Sequence, residues 1–284
     1  MKLGLYGINV GPCAQPEAAA RVARAAEAAG FESVWTAEHV VLPDPQAPPS
    51  PIPAATPLLD PAVALAFLAA HTQRLRLATG IIILPQRNPV VLAKELASLD
   101  VLSGGRLIAG FGVGYLKAEF DAIGAPFARR AERMEECLDV LLALWTQPHP
   151  QHDGPSFRFA GIDAHPRPVQ QPHPPIVLGA TTPPAFRRTV RRADGWYGFA
   201  MDVDTTSRCL AGLEQAARRV ERPAGLGALE LTVTPPPGLP DADTIRRYED
   251  LGVTRLVLLP LVRSADELVD FVGRAGAAAP GGAS

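Results

Sequence analysis

The sequence predicts an α/β protein, a (β/α)8 (TIM) barrel with extended βα loops, from two observations. Eight short apolar segments have the composition of buried parallel strands, and stretches with helical spacing separate them. Glycines stand where several of these segments end, which is where α/β proteins place their functional groups. The predicted strands lie near residues 3–8, 33–37, 75–84, 106–111, 175–179, 195–199, 228–234 and 254–259. Because 284 residues suit one such barrel, we expect a single domain over residues 1–284.

Helix start signals precede four of the predicted helices. Pro16 begins an alanine-rich stretch, while Asp60–Pro61 and Asn88–Pro89 each combine a capping side chain with proline at the first helical position. Asp241 precedes the last but one predicted helix. Apolar residues at helical spacing over 133–145 predict a further helix that packs on the barrel.

Two predicted strands contain glycines that make room for a close approach. Leu75–Leu84 is interrupted by Thr79–Gly80, and a glycine inside a buried strand marks a bulge or the approach of a ligand or another backbone. The strand Leu107–Phe111 stops at Gly112–Val113–Gly114. The bare backbone of Gly112 and Gly114 is expected to let a flat ring or a phosphate come close.

Two insertions interrupt the pattern. Eight prolines from Pro43 to Pro61 exclude regular helix and predict a stiff, extended loop on the active-site face. Residues 147–173 surround a strand-like Phe157–Phe159 and hold four of the six histidines, which are His149, His152, His165 and His173. A metal site is one interpretation, but no carboxylate or cysteine shares a helical or hairpin spacing with them, so we expect no metal.

The charge and hydropathy of the chain exclude several classes of function. Lysine and arginine number 27 against 29 aspartates and glutamates, the formal net charge is −2, and no basic tract occurs. We therefore expect no nucleic-acid partner and no membrane partner. The longest wholly apolar window, near residues 62–70, is far shorter than the ~20 residues of a membrane span. Since residues 3–10 also lack a secretory core, we expect a cytoplasmic protein with Cys13, Cys137 and Cys209 as free thiols.

His39 is the side chain that the sequence favours for chemistry. It follows the second predicted strand, so we expect its imidazole in the barrel mouth, where it donates a hydrogen bond or moves a proton. The alternative is that His39 only packs against the proline-rich loop. Glu38 either orients His39 or pairs with an arginine inside the barrel.

The end of the fifth predicted strand is a candidate anion site. Gly179, Ala180, Thr181 and Thr182 separate that strand from a helix that begins with proline, so free N–H groups and hydroxyls converge there. Arg187 and Arg188, one turn later, are positioned to add positive charge. The alternative is that Thr181 or Thr182 serves only as a helix cap.

Four segments of the chain resemble the luciferase-like monooxygenase superfamily in order and spacing: Leu75–Trp145, EAAGFESVWTAEHV (27–40), PPIVLGATTP (174–183) and ADGWYG (193–198). The resemblance covers most of the chain and implies a (β/α)8 barrel that binds a reduced flavin or its deazaflavin analogue, coenzyme F420. It also implies that His39 contacts the cofactor ring and the substrate. Gly80 and Ile81 match a bulge, often with a non-proline cis peptide, that supports the ring, and the segment at Gly179 matches the one that holds the cofactor phosphate.

The resemblance implies a coenzyme F420-dependent oxidoreductase that transfers a hydride between the deazaflavin and a small or medium organic substrate, with His39 as proton donor or acceptor. The alternative is an FMN-dependent monooxygenase that uses reduced flavin and oxygen and needs a flavin reductase as partner. Many F420-using members carry Asp-His and several flavin-using members carry Glu-His-His, whereas Glu38-His39-Val40 matches neither pattern fully.

Three further expectations concern source, assembly and other classes of function. Arginine outnumbers lysine 24 to 3, as in GC-rich genomes, and GC-rich actinobacteria commonly make the deazaflavin. A homodimer is compatible with the sequence. A metal-dependent barrel hydrolase usually carries HxH on the first strand, where residues 3–8 offer no ligands. A flavin-binding barrel without turnover stays an alternative, because fold does not dictate function.

Overall fold

The computed structural model of the protein describes residues 1–262 and 264–278 as a barrel of strands surrounded by helices. The strands are β1 (Lys2–Tyr6), β2 (Ser33–Trp35), β3 (Arg76–Ala78), β4 (Ile82–Ile83), β5 (Leu107–Gly112), β6 (His152–Asp153), β7 (Arg158–Phe159), β8 (Ile176–Gly179), β9 (Gly195–Gly198), β10 (Glu230–Val233) and β11 (Arg255–Leu258). The helices are α1 (Pro16–Ala28), α2 (Pro61–Ala69), α3 (Pro89–Ser103), α4 (Lys117–Ile123), α5 (Arg130–Thr146), α6 (Pro183–Arg192), α7 (Val203–Ala217), α8 (Ala242–Asp250) and α9 (Ala265–Ala278).

The barrel closes through one split strand. Its strands pair in the order β3-β2-β1-β11-β10-β9-β8-β5-β4, and β3 also pairs with β5. All of these pairings are parallel. β3 and β4 are therefore the two halves of the third barrel strand, which makes eight barrel strands in all. The predicted (β/α)8 barrel is confirmed, and each predicted strand overlaps an observed one.

The predicted third strand, 75–84, is not continuous. β3 ends at Ala78 and β4 starts at Ile82. Between them the Thr79 hydroxyl donates to the Gly110 carbonyl at 2.8 Å and accepts from the Gly110 N–H at 2.7 Å. A Cβ on Gly110 would lie 1.9 Å from the Thr79 carbonyl oxygen, so the two backbones meet only because Gly110 has no side chain. The interruption predicted here is confirmed, and the Gly80–Ile81 peptide bond is cis.

The predicted helix starts are confirmed. The side chains of Asp60, Asn88 and Asp241 accept hydrogen bonds from N–H groups in the first turns of α2, α3 and α8. These bonds satisfy donors that have no partner within the helix. Pro16 occupies the first position of α1, and α3 ends at Gly104, whose φ of 68° is left-handed.

Both insertions have the character that the sequence predicts. Residues 36–60 form the proline-rich loop, which contains no helix. The histidine-rich insertion holds the antiparallel hairpin of β6 and β7, of which the sequence indicates only the second strand. The missed strand is two residues long, too short for a side-chain pattern to reveal it.

Aromatic side chains fill the inside of the barrel. A buried cluster there consists of Trp35, Ala78, Ile108, Val177, Tyr197 and Val257. The rings of Trp35 and Tyr197 stack with their centroids 4.9 Å apart. These two large rings make the middle of the barrel a packed core, so a ligand has room only above them, at the carboxyl ends of the strands.

An ion-pair cluster closes the amino-terminal end of the barrel. Arg255, at the start of β11, is fully buried and pairs with Glu32 at 2.9 Å and Glu230 at 3.0 Å. Its guanidinium carbon lies 5.8 Å from the Trp35 ring centroid. Burial lowers the pKa of Arg255, but the two carboxylates outweigh burial and raise it above its usual range. The charge at the bottom of the barrel is therefore permanent.

Cys13, Cys137 and Cys209 are buried free thiols, as the sequence predicts. Burial raises the pKa of both Cys13 and Cys137 to about 12. Neither thiol is therefore a nucleophile near neutral pH, because the thiolate is the reactive form. Within residues 1–262 and 264–278, no helix has the length and apolar character that crossing a membrane requires.

Replacing Gly110 by Ala should lower the free energy of unfolding by about 3 kcal/mol or more, because the new methyl group would overlap the Thr79 carbonyl. The matched control is Gly273→Ala in α9, where a Cβ meets nothing within 4 Å and where alanine should add up to about 1 kcal/mol. Urea unfolding of both variants measures the difference. If Gly110→Ala is as stable as Gly273→Ala, the backbone at Thr79 moves away from the new methyl group at little cost.

Candidate active site

The segment 36–40 lies at the carboxyl end of β2, and three side chains from outside the segment hold it: Asn9, Arg87 and Glu119. Asn9 follows β1 and is fully buried. Its amide donates to the carbonyls of Ala37 at 2.9 Å and Leu59 at 2.6 Å, and its oxygen accepts from the Ala37 N–H at 2.8 Å. Asn9 therefore ties the start of the proline-rich loop to its end.

Glu38 pairs with an arginine, which confirms one of its two predicted roles. Its carboxylate accepts hydrogen bonds from the Ile83 N–H and from the Arg87 guanidinium, which also pairs with Asp60 at 2.7 Å. Burial raises the pKa of Glu38. Burial lowers the pKa of Arg87, but the carboxylates of Glu38 and Asp60 raise it by more, so the guanidinium stays charged. Glu38 thus ties the segment to β4 and has no hydrogen bond to His39.

His39 contacts a different carboxylate, that of Glu119 in α4. The His39 Nδ1 lies 3.4 Å from Glu119 Oε2, and the Val40 N–H donates to Glu119 Oε1 at 2.6 Å. Glu119 is fully buried, and the His39 side chain is 10% exposed. Burial raises the pKa of the Glu119 carboxyl, but hydrogen bonds from His39, Gln86 and Val40 outweigh burial and hold it below its usual range. The edge of the Tyr115 ring completes the surroundings, with centroids 6.0 Å apart.

Sequence reasoning missed Glu119. The available signal is its position in the first turn of a short helix, next to the buried apolar residue Phe120 and just after a strand that ends in glycine. A carboxylate on the buried side of a helix is rare unless it is paired, so this pattern marks a functional candidate.

A buried polar atom without a partner lies in this segment. The Thr36 hydroxyl makes no hydrogen bond within the described part of the chain, whereas the Gln86 side chain lies against the Glu119 carboxylate and helps to lower its pKa. Thr36 follows β2 and Gln86 follows β4, so both belong to the carboxyl side of the barrel. Buried polar groups are nearly always hydrogen-bonded in a finished interior, so the Thr36 hydroxyl fits a site that receives a polar ligand.

The glycines at the mouth differ in what a side chain at each position would contact. A Cβ on Gly112 would lie 1.9 Å from Ile81 Cδ1, and one on Gly114 would lie 2.5 Å from Ile83 Cγ2. Both glycines therefore make room for side chains of the protein, Ile81 and Ile83. The sequence instead predicted that their bare backbone makes room for a ligand. A Cβ on Gly179 would meet nothing closer than 3.9 Å, and its φ is not left-handed. Packing within the protein does not require glycine at position 179, whereas a closely approaching ligand would.

Aromatic residues line the opposite side of the mouth. The rings of Tyr6 and Phe199 lie 4.9 Å apart, and the Tyr197 hydroxyl is 2.7 Å from that of Thr234. Burial raises the pKa of both Tyr6 and Tyr197 far above the usual phenol range. These phenols therefore stay protonated near neutral pH, and His39 is the ring at this site suited to exchange a proton there.

The end of β8 retains the features of the predicted anion site. Thr182 occupies the cap position of α6 but its side chain makes no capping hydrogen bond, which removes the alternative that it serves only as a cap. Thr181 and Thr182 are both exposed next to Gly179, and Ala180 is buried. Pro183 and Pro184 at the start of α6 have no N–H group, and the Phe186 N–H donates to the Thr182 carbonyl at 2.8 Å. The donors that this junction offers to an anion are therefore the two threonine hydroxyls and the Ala185 N–H.

The two arginines that follow have different surroundings. Arg188 pairs with Glu135 of α5 at 2.6 Å, so its charge is already matched and the expectation that it adds charge to the anion site is wrong. Arg187 is half-buried and makes no ion pair with any residue that the structure describes. Arg187 therefore remains the candidate cation at this position.

The four histidines of the insertion do not form one site. His165 pairs with Asp163 at 3.0 Å, His173 Nδ1 lies 2.9 Å from the Pro174 carbonyl, and His152 Nε2 lies 3.6 Å from Glu136. Over residues 1–262 and 264–278, no three histidine, cysteine, aspartate or glutamate side chains come together in a way that could hold a metal ion.

A family model described as luciferase-like monooxygenase matches residues 6–241, which is most of the chain. The chain belongs to the luciferase-like monooxygenase family. Members of this family are F420-dependent or flavin-dependent oxidoreductases and monooxygenases that act on small molecules, so this chain is an enzyme of that kind. A barrel mouth with a histidine, an unpaired hydroxyl and an open glycine agrees with that membership.

Relatives of this luciferase-like chain include users of both cofactors. An uncharacterized protein of Mycobacterium tuberculosis (strain ATCC 25618 / H37Rv) is 36% identical over 266 residues, which cover 90% of this chain and 91% of that protein. The FMNH2-dependent dimethylsulfone monooxygenase of Pseudomonas putida is 35% identical over 133 residues, 46% of this chain and 36% of that one. An F420-dependent secondary alcohol dehydrogenase, solved with an F420–acetone adduct, has the same fold with a TM-score of 0.80 at 15% identity, covering 100% and 99% of the two chains.

Replacing Glu38 by Gln should lower the free energy of unfolding by roughly 2–3 kcal/mol, because it removes the charge that matches the partly buried Arg87. The matched control is Glu132→Gln, whose partner Arg129 is exposed, and its stability should equal that of the original chain. Chemical denaturation of the three proteins provides the measurement. A Glu38→Gln protein as stable as the control would contradict a structural role for the pair.

Proposed function

We propose that the protein is a coenzyme F420-dependent oxidoreductase that transfers a hydride between the deazaflavin and a small or medium organic substrate at the barrel mouth. The observation that carries the proposal is Gly179, where a Cβ would meet nothing closer than 3.9 Å, so that packing does not require glycine there. Gly179 lies beside Ile81 and next to the uncapped hydroxyls of Thr181 and Thr182. The bound cofactor supplies or accepts a hydride at a ring carbon. The residues of the chain bind and orient the cofactor and move the proton.

The anion end of the site is built by the β8–α6 junction. Thr181, Thr182 and the Ala185 N–H bind the cofactor phosphate, since the first two residues of α6 are prolines without an N–H, and Arg187 adds positive charge. Gly179 and Ala180 keep this junction free of bulky side chains, so the phosphate reaches the backbone. Glycine there is a requirement of binding in this proposal and not a requirement of folding.

The ring end of the site is built by the split third strand. Ile81 presents an apolar surface, and its neighbour Gly80 permits the turn because a Cβ there would lie 2.9 Å from the Thr36 carbonyl. Gly112 and Gly114 act indirectly, since they make room for Ile81 and Ile83. The unpaired Thr36 hydroxyl is the polar group available to the edge of a ring.

His39 holds or accepts the proton that accompanies hydride transfer. The phenols of Tyr6 and Tyr197 stay protonated near neutral pH, and the Glu38 carboxylate is occupied by Arg87, so neither kind of group competes for this role. Glu38, for which the sequence predicts either orientation of His39 or a pair with an arginine, acts in this proposal by holding the segment in place.

An FMN-dependent monooxygenase is the second candidate, favoured by the identity to the dimethylsulfone monooxygenase. In that case a flavin reductase supplies reduced FMN, and the enzyme consumes oxygen. The deazaflavin is preferred here because the relative that covers nearly the whole chain is mycobacterial, and actinobacteria commonly make coenzyme F420.

Titration of the purified protein with coenzyme F420 and with FMN, followed by calorimetry, tests the choice of cofactor. We expect F420 to bind at least tenfold more tightly, a difference of about 1.4 kcal/mol. Gly179→Leu should weaken binding because its side chain fills the open space, while Gly225→Leu, at an exposed glycine with nothing within 4 Å, should bind normally. Equal or reversed affinities, together with oxygen uptake in the presence of reduced FMN, would establish the monooxygenase.

His39→Ala should lower turnover by about 10² to 10⁴ fold, the usual contribution of a positioned acid or base, while cofactor affinity changes little. If His39 only packs beneath the proline-rich loop, the variant should lose about 1 to 2 kcal/mol of stability and keep its turnover per folded molecule. Rate and melting temperature measured on one preparation distinguish the two outcomes. A loss of stability without loss of rate would remove the catalytic assignment.

A further inference from the structure

We propose that Glu119 is a positioning residue: its carboxylate fixes the His39 imidazole in the tautomer with the proton on Nδ1, so that Nε2 is the nitrogen that exchanges a proton with the substrate. The tautomer follows from the structure alone. The consequence for turnover rests on the proposed role of His39.

The geometry assigns one task to each oxygen of this carboxylate. Oε1 accepts the Val40 N–H at 2.6 Å, and Oε2 faces His39 Nδ1 at 3.4 Å. The first contact fixes the backbone that carries the histidine, and the second faces its ring. Two contacts with adjacent residues define both where His39 sits and which way its ring turns.

The chemistry of the partners assigns the proton. An ionised carboxylate can only accept hydrogen bonds, so the imidazole nitrogen that faces it must be the donor. Hydrogen bonds from His39, Gln86 and Val40 hold the pKa of Glu119 below its usual range in spite of burial, which keeps the carboxylate ionised near neutral pH. The neutral ring then has its one basic lone pair on Nε2, which makes no hydrogen bond within residues 1–262 and 264–278.

The burial of Glu119 explains why His39 is its counterpart. The carboxylate is fully buried, and its one ion-pair partner within the described residues is His39. A buried carboxylate needs hydrogen-bond donors, and the His39 ring and the Val40 N–H each supply one. Glu38 differs in this respect, because the permanent charge of Arg87 already satisfies it.

Glu119→Gln is a direct test because glutamine has nearly the same shape. Its oxygen can still accept the Val40 N–H, but its amide donates where the carboxylate accepts, so His39 Nδ1 must lose its proton to Nε2. The matched control is Asp121→Asn in the same helix, whose exposed carboxylate pairs with Lys117 at 2.6 Å and contacts neither His39 nor Val40.

Nitrogen-15 NMR of histidine-labelled protein without cofactor reads the tautomer, and the His39→Ala spectrum identifies the signals of His39. We expect the neutral ring to be protonated on Nδ1 in the original chain and in Asp121→Asn, and on Nε2 in Glu119→Gln. An Nε2-protonated ring in the original chain overturns the proposal without reference to any variant. An unchanged tautomer in Glu119→Gln overturns it as well.

Turnover then tests the consequence for the reaction. Glu119→Gln should be at least about 10-fold slower than Asp121→Asn, with cofactor affinity and melting temperature close to those of the control. A rate equal to the control, with the tautomer reversed, overturns the positioning role. If His39→Ala itself keeps full turnover, the proposed function of His39 fails, while the NMR result still decides the tautomer.

Discussion

The close approach of the Thr79 carbonyl to Gly110 is the constraint on which the rest of the site depends. At this point β3 and β4 do not form one continuous strand: Ala78 pairs with Ile108 but Ile82 pairs with Phe111, so the chain bulges by one residue where Gly110 leaves room for the Thr79 carbonyl. That bulge directs Ile81 over Gly112 and brings the Ile83 N–H to Glu38. A local conflict in backbone spacing therefore shapes the apolar wall of the mouth and also anchors the segment that carries His39.

Buried polar side chains organise the mouth by linking loops that are distant in sequence. Asn9, Glu38 and Glu119 tie one five-residue segment to the loops that follow β1, β4 and β5. Asn9 and Glu119 accept the N–H groups of Ala37 and Val40, which the irregular segment cannot pair by itself, and Glu38 accepts the Ile83 N–H of β4. The proline-rich loop begins at this segment, and the Asn9 contact with Leu59 holds its other end. The loop is thus fixed at both ends by side chains that water does not reach.

The sequence predicted the parts of this structure that local chemistry decides. Apolar periodicity located the eight barrel strands, and Asn88 and Asp60 marked helix starts, because a cap acts on residues two or three positions away. Glycine marked the interruption at Thr79. The partners of His39 and Glu38 were not predictable, since Glu119 and Arg87 lie 80 and 49 residues further along the chain. The same limit applies to Gly112, whose neighbour Ile81 arrives from another strand.

The ion-pair cluster around Arg255 closes one end of the barrel. Arg255 and its carboxylate partners fill the amino-terminal end, and the stacked rings of Trp35 and Tyr197 lie above them, so these residues leave the carboxyl end as the open one. Everything that reaches the site enters and leaves through one opening. A molecule bound deeper in this mouth would therefore bind before, and leave after, one bound above it. Residues at the end of the barrel remote from His39 would thus set the order of binding.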